Sequence, residues 1–329
     1  MDEKVEQIQH YALNKDISSQ AKSGRSSFNK VGIVGFGYVG QNIGRMASTH
    51  GLEVCFVEVS EERIKESMQS LSRELDRLIE RWGMTTSDKR AILSRIHGST
   101  DYSVLRNSDI VLEAVKNRTR EDSVDMRKKI FKKIEHEISP ECIIATNTST
   151  LLVTELSTDL NYPERCVSFH FLTPAPEARI VEVVKGLYTS NEAYEDVCKF
   201  ARLLDKRVIS VNESPGIIST RLIVPLINEA CEILMEGVGS MEDIDATMRL
   251  GYGLPLGPFA MADKLGLDKV VRWLDNLYKE FGDVKYKTSP LLKRLVRANQ
   301  VGRNTNKGFY EYDEEGNMIE RSQPLKSTF

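Results

Sequence analysis

The sequence lacks most features that assign a function at a glance. No apolar run in its 329 residues approaches the ~18 needed to cross a bilayer, which excludes a spanning helix. Its first residues lack the apolar block of a signal peptide. Cysteine is sparse and odd in number: Cys55, Cys142, Cys166, Cys198 and Cys231 stand singly, with no CxxC and no paired Cys/His spacing. That argues against a disulfide frame and against a metal site, and it points to a reducing compartment. Neither sign of charge prevails, since 45 Lys and Arg meet 48 Asp and Glu for a net of −3. Such balance argues against a nucleic-acid partner. A soluble, cytoplasmic protein with no membrane or nucleic-acid partner is therefore expected.

What is present is a chain long enough for about two domains at ~150 residues each, with 40% hydrophobic positions to build full cores. Residues 1–28, rich in Lys, Glu, Ser and Gln, read as a polar extension that is disordered or loosely docked. A short amphipathic helix through Val5, Ile8 and Leu13 is the alternative.

From Lys30 the text changes. Val31-Gly32-Ile33-Val34 is a short apolar run, Gly35-Phe36-Gly37-Tyr38-Val39-Gly40 follows, then a helical pattern to His50-Gly51 and a second strand closed by Glu58. Each glycine has its own task in a dinucleotide-binding turn: Gly35 makes the tight turn, Gly37 admits a pyrophosphate to the backbone, and Gly40 seats the helix on the sheet. Glu58, 23 residues after Gly35, stands where an acid hydrogen-bonds ribose hydroxyls and repels a 2′-phosphate, which favours NAD over NADP. A bare glycine pattern is an ordinary turn; inside a complete βαβ unit it reads as an NAD site.

Two helical stretches over 61–95 make a longer excursion than the usual ~2–6-residue connection, either extra packing on the sheet edge or a functional element. Strands resume at 109–115 and 142–146, separated by a helix whose basic run, Arg127-Lys128-Lys129 with Lys132-Lys133, reads as a solvated face. Alternating strands and helices predict an α/β fold, a doubly wound and mostly parallel sheet of Rossmann type.

Ligands of such sheets lie outside the carboxyl ends of the strands. There stand Asn147-Thr148-Ser149-Thr150, a cluster that reads equally as a turn cap. Among only five histidines, His170 alone closes a strand before proline breaks, at Pro174 and Pro176. Glu182 lies on the next strand-like run, and an acid inside an apolar strand wants a charged partner. A His–Glu pair fixes the imidazole tautomer and stabilises the imidazolium, as acid–base work at neutral pH requires. A core histidine satisfied by backbone is the plainer reading. Further on, the segment 217–235 is apolar at Leu222, Leu226, Ala230 and Leu234 and again at Ile223, Ile227, Cys231 and Met235. That face is too wide for one neighbour, so a second subunit is expected to cover part of it; a monomeric bundle is the alternative. Pro225 predicts a kink.

These pieces together resemble the L-3-hydroxyacyl-CoA dehydrogenase family over nearly everything after Phe28. The resemblance is carried by the glycine turn, Val111-Leu112-Glu113-Ala114, Asn147-Thr148-Ser149, Phe169-His170-Phe171 with Pro174, and Val181-Glu182-Val183. Ser214-Pro215-Gly216, Gly257-Pro258 with Asp263, Gly266-Leu267-Asp268, and Gly302-Arg303 to Lys307-Gly308-Phe309-Tyr310 complete it. It implies an NAD-binding domain over 29–212 and a smaller all-helical domain over 213–329 that meets substrate and forms a homodimer. It further implies His170 as catalytic base with Glu182 as its partner, Ser149 on the substrate oxygen, Asn147 near the nicotinamide ribose, and Glu113 beside the cofactor or thioester. The 61–95 helices would contact coenzyme A. The implied reaction is NAD-linked interconversion of a 3-hydroxyacyl-CoA and its 3-oxoacyl form, a step of fatty acid metabolism.

After Val115, where the family usually shows a further acid, Lys116-Asn117-Arg118 stands instead, and two more positions depart: Thr173 and Thr220 stand where the family carries Asn. Both keep a hydroxyl on a shorter arm, so substrate contacts through Thr173 and Thr220 are weakened or redirected. A carrier-protein-bound acyl group or a free hydroxy acid is the alternative substrate, and an NAD-binding protein with little catalysis is the alternative of another class.

Overall fold

Apolar runs without alternation become strands covered on both faces. The computed structural model describes residues 27–81, 83–115, 120–172, 178–313 and 315–319. The readings made for residues 1–26, for residues 116–118, for Thr173 and for the prolines after it lie outside them.

The first half alternates as expected: β1 (Lys30–Val34), α1 (Tyr38–Thr49), β2 (Glu53–Val57), α2 (Glu61–Glu80), α3 (Thr86–Leu93), β3 (Ile96–Ser99), β4 (Ile110–Glu113), α4 (Arg120–Glu137) and β5 (Ile143–Thr146). Then come α5 (Val153–Ser157), β6 (Cys166–Phe171), β7 (Ile180–Lys185), α6 (Asn191–Leu203) and β8 (Arg207–Asn212). They form one eight-stranded sheet in the order β3-β2-β1-β4-β5-β6-β7-β8. Every residue of β4, β5 and β6 is buried. One face packs Ile33, Val54, Leu112 and Phe169 under α1, α2 and α6, and the other packs Val34, Val111, Phe131 and Ile144 under α4 and α5.

All neighbouring pairs are parallel except β6 and β7. Residues 172–179 are too few for the crossover of a dozen or more residues that a parallel pair demands. Chain order reverses between β1 and β4, which opens the crevice where such sheets bind ligands.

The second half is helical: α7 (Ser219–Met235), α8 (Met241–Ala246), α9 (Pro258–Leu265), α10 (Leu267–Phe281) and α11 (Pro290–Arg297), closed by a short hairpin, β9 (Glu311–Tyr312) with β10 (Met318–Ile319). Its separate core holds Val224, Ile227, Phe259, Leu274, Leu277, Leu291 and Phe309. Two buried aspartates join its parts. Asp245 accepts the Phe259 and Ala260 N–H groups and the Tyr310 hydroxyl, and Asp263 accepts the Phe309 and Tyr310 N–H groups and the Tyr312 hydroxyl. α7 continues through Pro225. It buries Ile227, Ala230, Cys231 and Leu234 but leaves Leu222 70% exposed. Among the described residues, no helix is long and apolar enough to cross a membrane.

One sequence boundary moves. Phe28, assigned above to the polar extension, is buried in the first core, with its ring centroid 5.0 Å from that of Phe200 on α6. Its apolar area outweighs the polar composition of its neighbours. Phe28→Ala should lower the unfolding free energy by about 3 kcal/mol in urea titrations; a residue of a free arm would change it by less than about 0.5 kcal/mol.

Candidate active site

The glycine turn is built as its spacing requires. Gly35 takes φ +89°, a left-handed conformation that side chains disfavour. A Cβ on Gly40 would lie 2.2 Å from the Gly35 carbonyl oxygen, so only glycine lets α1 start this close to β1. Gly37 caps α1 without any side-chain hydrogen bond, and nothing stands within 4 Å of where its Cβ would be. An uncapped helix N-terminus facing open space is a site for an anionic phosphate. Glu58 reaches over this turn, its Oε1 accepting the Phe36 N–H at 2.7 Å. Stacking of Phe36 on Phe56, with centroids 3.9 Å apart, fixes the turn to β2. These residues fit a dinucleotide with free ribose hydroxyls.

Glu113, expected beside the cofactor or thioester, ends β4. It is buried, and its carboxylate is occupied by protein: Oε1 accepts the Val115 N–H at 2.7 Å, and Oε2 accepts the Thr146 hydroxyl at 2.7 Å and Arg127 Nε at 2.9 Å. Arg127 Nη2 also donates to the Val115 carbonyl. The carboxylate thus ties the ends of β4 and β5 to α4. Arg127 in turn is no part of a solvated face, being only 8% exposed. A buried carboxylate needs such a cation beside it, and that need was the signal missed in the basic run.

The antiparallel register sets His170 directly opposite Glu182. Imidazole Nδ1 lies 2.9 Å from Glu182 Oε2, and both residues are buried. Burial pushes the Glu182 carboxyl up, but hydrogen bonds from His170 and Ser219 outweigh it and hold the group below the ordinary glutamate value. An ionised carboxylate only accepts, so Nδ1 carries the donated hydrogen, and in the neutral imidazole Nε2 is the nitrogen left with a lone pair. Nε2 has no hydrogen-bond partner among the described residues.

The helical half closes over these strand ends. Ser219, at the first turn of α7, gives both its N–H, to Glu182 Oε1 at 2.9 Å, and its hydroxyl, to Oε2 at 2.6 Å. Thr220 donates its hydroxyl to Ser149 Oγ at 3.0 Å, and the Gly216 N–H donates to the Ser149 carbonyl at 2.7 Å. Asn276 Nδ2 donates to Thr150 Oγ1. The expected Ser149 and Thr220 are therefore brought into contact. Asn147 uses its Oδ1 on the Phe171 N–H at 2.9 Å, beside the imidazole strand. The approach to α7 is strained: Gly216 sits at φ +82°, and Ile217, a β-branched residue, at φ +43°. Such a residue costs about 1–3 kcal/mol, offset by burial of Ile217 against Val184 and Val211. Ser219 escaped the sequence reading because a serine after Pro-Gly and before a helix looks like an ordinary start signal.

Comparison with known proteins agrees with this geometry. Residues 30–214 match the family model for the 3-hydroxyacyl-CoA dehydrogenase NAD binding domain, and residues 216–312 match that for its C-terminal domain. The chain belongs to the 3-hydroxyacyl-CoA dehydrogenase family. It is 35% identical over 284 residues to a 3-hydroxybutyryl-CoA dehydrogenase of Clostridioides difficile, covering 86% of this chain and 99% of that one. It is 30% identical over 308 residues to the human mitochondrial hydroxyacyl-coenzyme A dehydrogenase, covering 92% and 96%. The crystal structure of (S)-3-hydroxybutyryl-CoA dehydrogenase from Ralstonia eutropha superposes with a TM-score of 0.79 at 38% identity, over 88% of this chain and 100% of that one. The family's cofactor is NAD, and this chain is an NAD-dependent oxidoreductase of that family.

Because the Glu182 carboxyl is lowered in the folded state, the stability it contributes is fully present above the unfolded value of about 4.3 and fades as pH falls through the folded one. Glu182→Gln should be less stable than wild type at neutral pH. That gap should narrow in thermal melts as pH falls below the unfolded value of about 4.3; a pH-independent gap would show that the charge is not what the fold stabilises.

Proposed function

We propose that this protein interconverts a 3-hydroxyacyl thioester of coenzyme A and its 3-oxoacyl form, with an NAD-binding domain over 28–212 and a helical substrate domain over 213–329. The observation that carries this reading is the buried pair His170 Nδ1 to Glu182 Oε2 at 2.9 Å, which leaves imidazole Nε2 as an unpaired base at the carboxyl ends of the strands.

Bound NAD supplies a hydride acceptor at its nicotinamide ring. In the oxidative direction, His170 Nε2 takes the proton of the 3-hydroxyl as the C3–H electron pair leaves as hydride and a carbonyl forms. Glu182 stabilises the resulting imidazolium and holds its ring plane. Ser149 Oγ accepts from Thr220, so its own hydrogen is free to donate to the substrate oxygen, where charge develops. In reduction the imidazolium returns the proton. Thr220 thereby acts through Ser149, a different task from the direct substrate contact expected above. Asn147 supports the nicotinamide end, Glu58 excludes a 2′-phosphate, and the turn from Gly35 to Gly40 carries the pyrophosphate.

In the same reading, a second copy of the chain covers the apolar face of α7 where Leu222 is left exposed. The five cysteines, free and buried, suit the cytoplasm.

Acetoacetyl-CoA should be reduced with NADH and far less with NADPH, and coenzyme A should inhibit competitively. Turnover without such inhibition would assign a carrier-bound or free acid substrate instead. His170→Gln should lower kcat by about 10²–10⁴ while leaving NADH affinity, read by fluorescence titration, unchanged; full activity in this variant would remove the mechanism.

A further inference from the structure

Glu182 Oε2 faces two donors at once, His170 Nδ1 at 2.9 Å and the Ser219 hydroxyl at 2.6 Å. The two come from different halves of the molecule, the imidazole from β6 and the hydroxyl from the first turn of α7. The second oxygen, Oε1, is held by the Ser219 N–H. One serine therefore grips the carboxylate by both oxygens, while the imidazole shares one of them.

We propose that Ser219 is a positioning and tuning residue for the His170–Glu182 pair, drawing off part of the acceptor strength of the oxygen that supports the imidazolium. The inference rests on the reading of His170 as the proton-transfer group, and it adds a residue outside that reading. The physical reason is competition. A carboxylate oxygen that already accepts a short hydrogen bond concentrates less charge on a second donor, so it stabilises a cation there less. The backbone N–H alone would orient Glu182, because a helix N-terminus already favours an anion; the hydroxyl is needed only to set the strength of the oxygen shared with His170.

Other charged groups around the pair are engaged elsewhere. On β8, the residue paired with Glu182 is the apolar Ile209. In the approach to α7, Glu213 is hydrogen-bonded by the Thr154 N–H and hydroxyl. On α7 itself, Arg221 donates to Tyr286 Oη and Ser214 Oγ. The imidazole thus answers mainly to Glu182, and Glu182 to Ser219.

The test is an imidazole NMR titration of His170 in the full-length protein, compared among wild type, Ser219→Ala and Ser219→Thr. Loss of the hydroxyl in Ser219→Ala should move the His170 titration midpoint to higher pH. Ser219→Thr, which keeps a hydroxyl, should restore the wild-type midpoint. In steady-state oxidation, Ser219→Ala should lower kcat/KM by about 3- to 10-fold on the acid side of its profile and leave the plateau close to wild type. An unchanged or lowered midpoint in Ser219→Ala would overturn the inference, even if stability drops, since a purely structural serine would not shift the titration upward. Failure of the underlying reading is visible separately: the midpoint would shift as expected, yet His170→Gln would retain turnover.

Discussion

A carboxylate inside a sheet is costly unless several donors meet it, and Glu182 is satisfied only by the folding of both halves. β6 supplies the imidazole opposite it, and α7 supplies an N–H and a hydroxyl. Docking of the helical half and ionisation of the acid–base pair are therefore a single constraint. If α7 lifted from the strand ends, Glu182 would lose two of its three donors and the favourable end of a helix. The chemistry proposed for this crevice depends on that junction as much as on the two residues that perform it.

The junction is narrow and specific. Gly216 and Ile217 turn the chain through left-handed conformations, and this turn brings Ser219 onto Glu182 and Thr220 onto Ser149. The strain in Ile217 is tolerated because its side chain fills a small apolar cluster with Val184 and Val211. A parallel device operates at the ends of β4 and β5, where Glu113 ties both strands to α4 through Arg127 and Thr146. In both places a buried acid organises strand ends. Only one of them keeps a titrating partner with a free face.

Much of this was legible in residue order. The glycine turn, the closing Glu58 and the apolar runs without alternation dictated a doubly wound sheet, because each names a local geometry. His170 and Glu182 were legible as a pair because an acid within an apolar strand demands a partner, and the short connection between them made the strands neighbours. Less visible were contacts formed across the two halves. Ser219 carries no local mark of its contact with Glu182, and Arg127 is masked by lysines that do face solvent. The partners of Glu113 were hidden for the converse reason: a strand-end acid carries no local mark of the buried arginine that meets it. Phe28 was grouped with its polar neighbours, although one aromatic ring sufficed to draw the chain into the core.

The most direct measurement is a crystal structure of the protein with NAD and acetoacetyl-CoA bound. The account predicts His170 Nε2 and Ser149 Oγ both within hydrogen-bonding reach of the substrate 3-oxygen, about 2.6–3.2 Å, with Nδ1 still on Glu182. A 3-oxygen held by other groups, with the imidazole turned away from it, would contradict it.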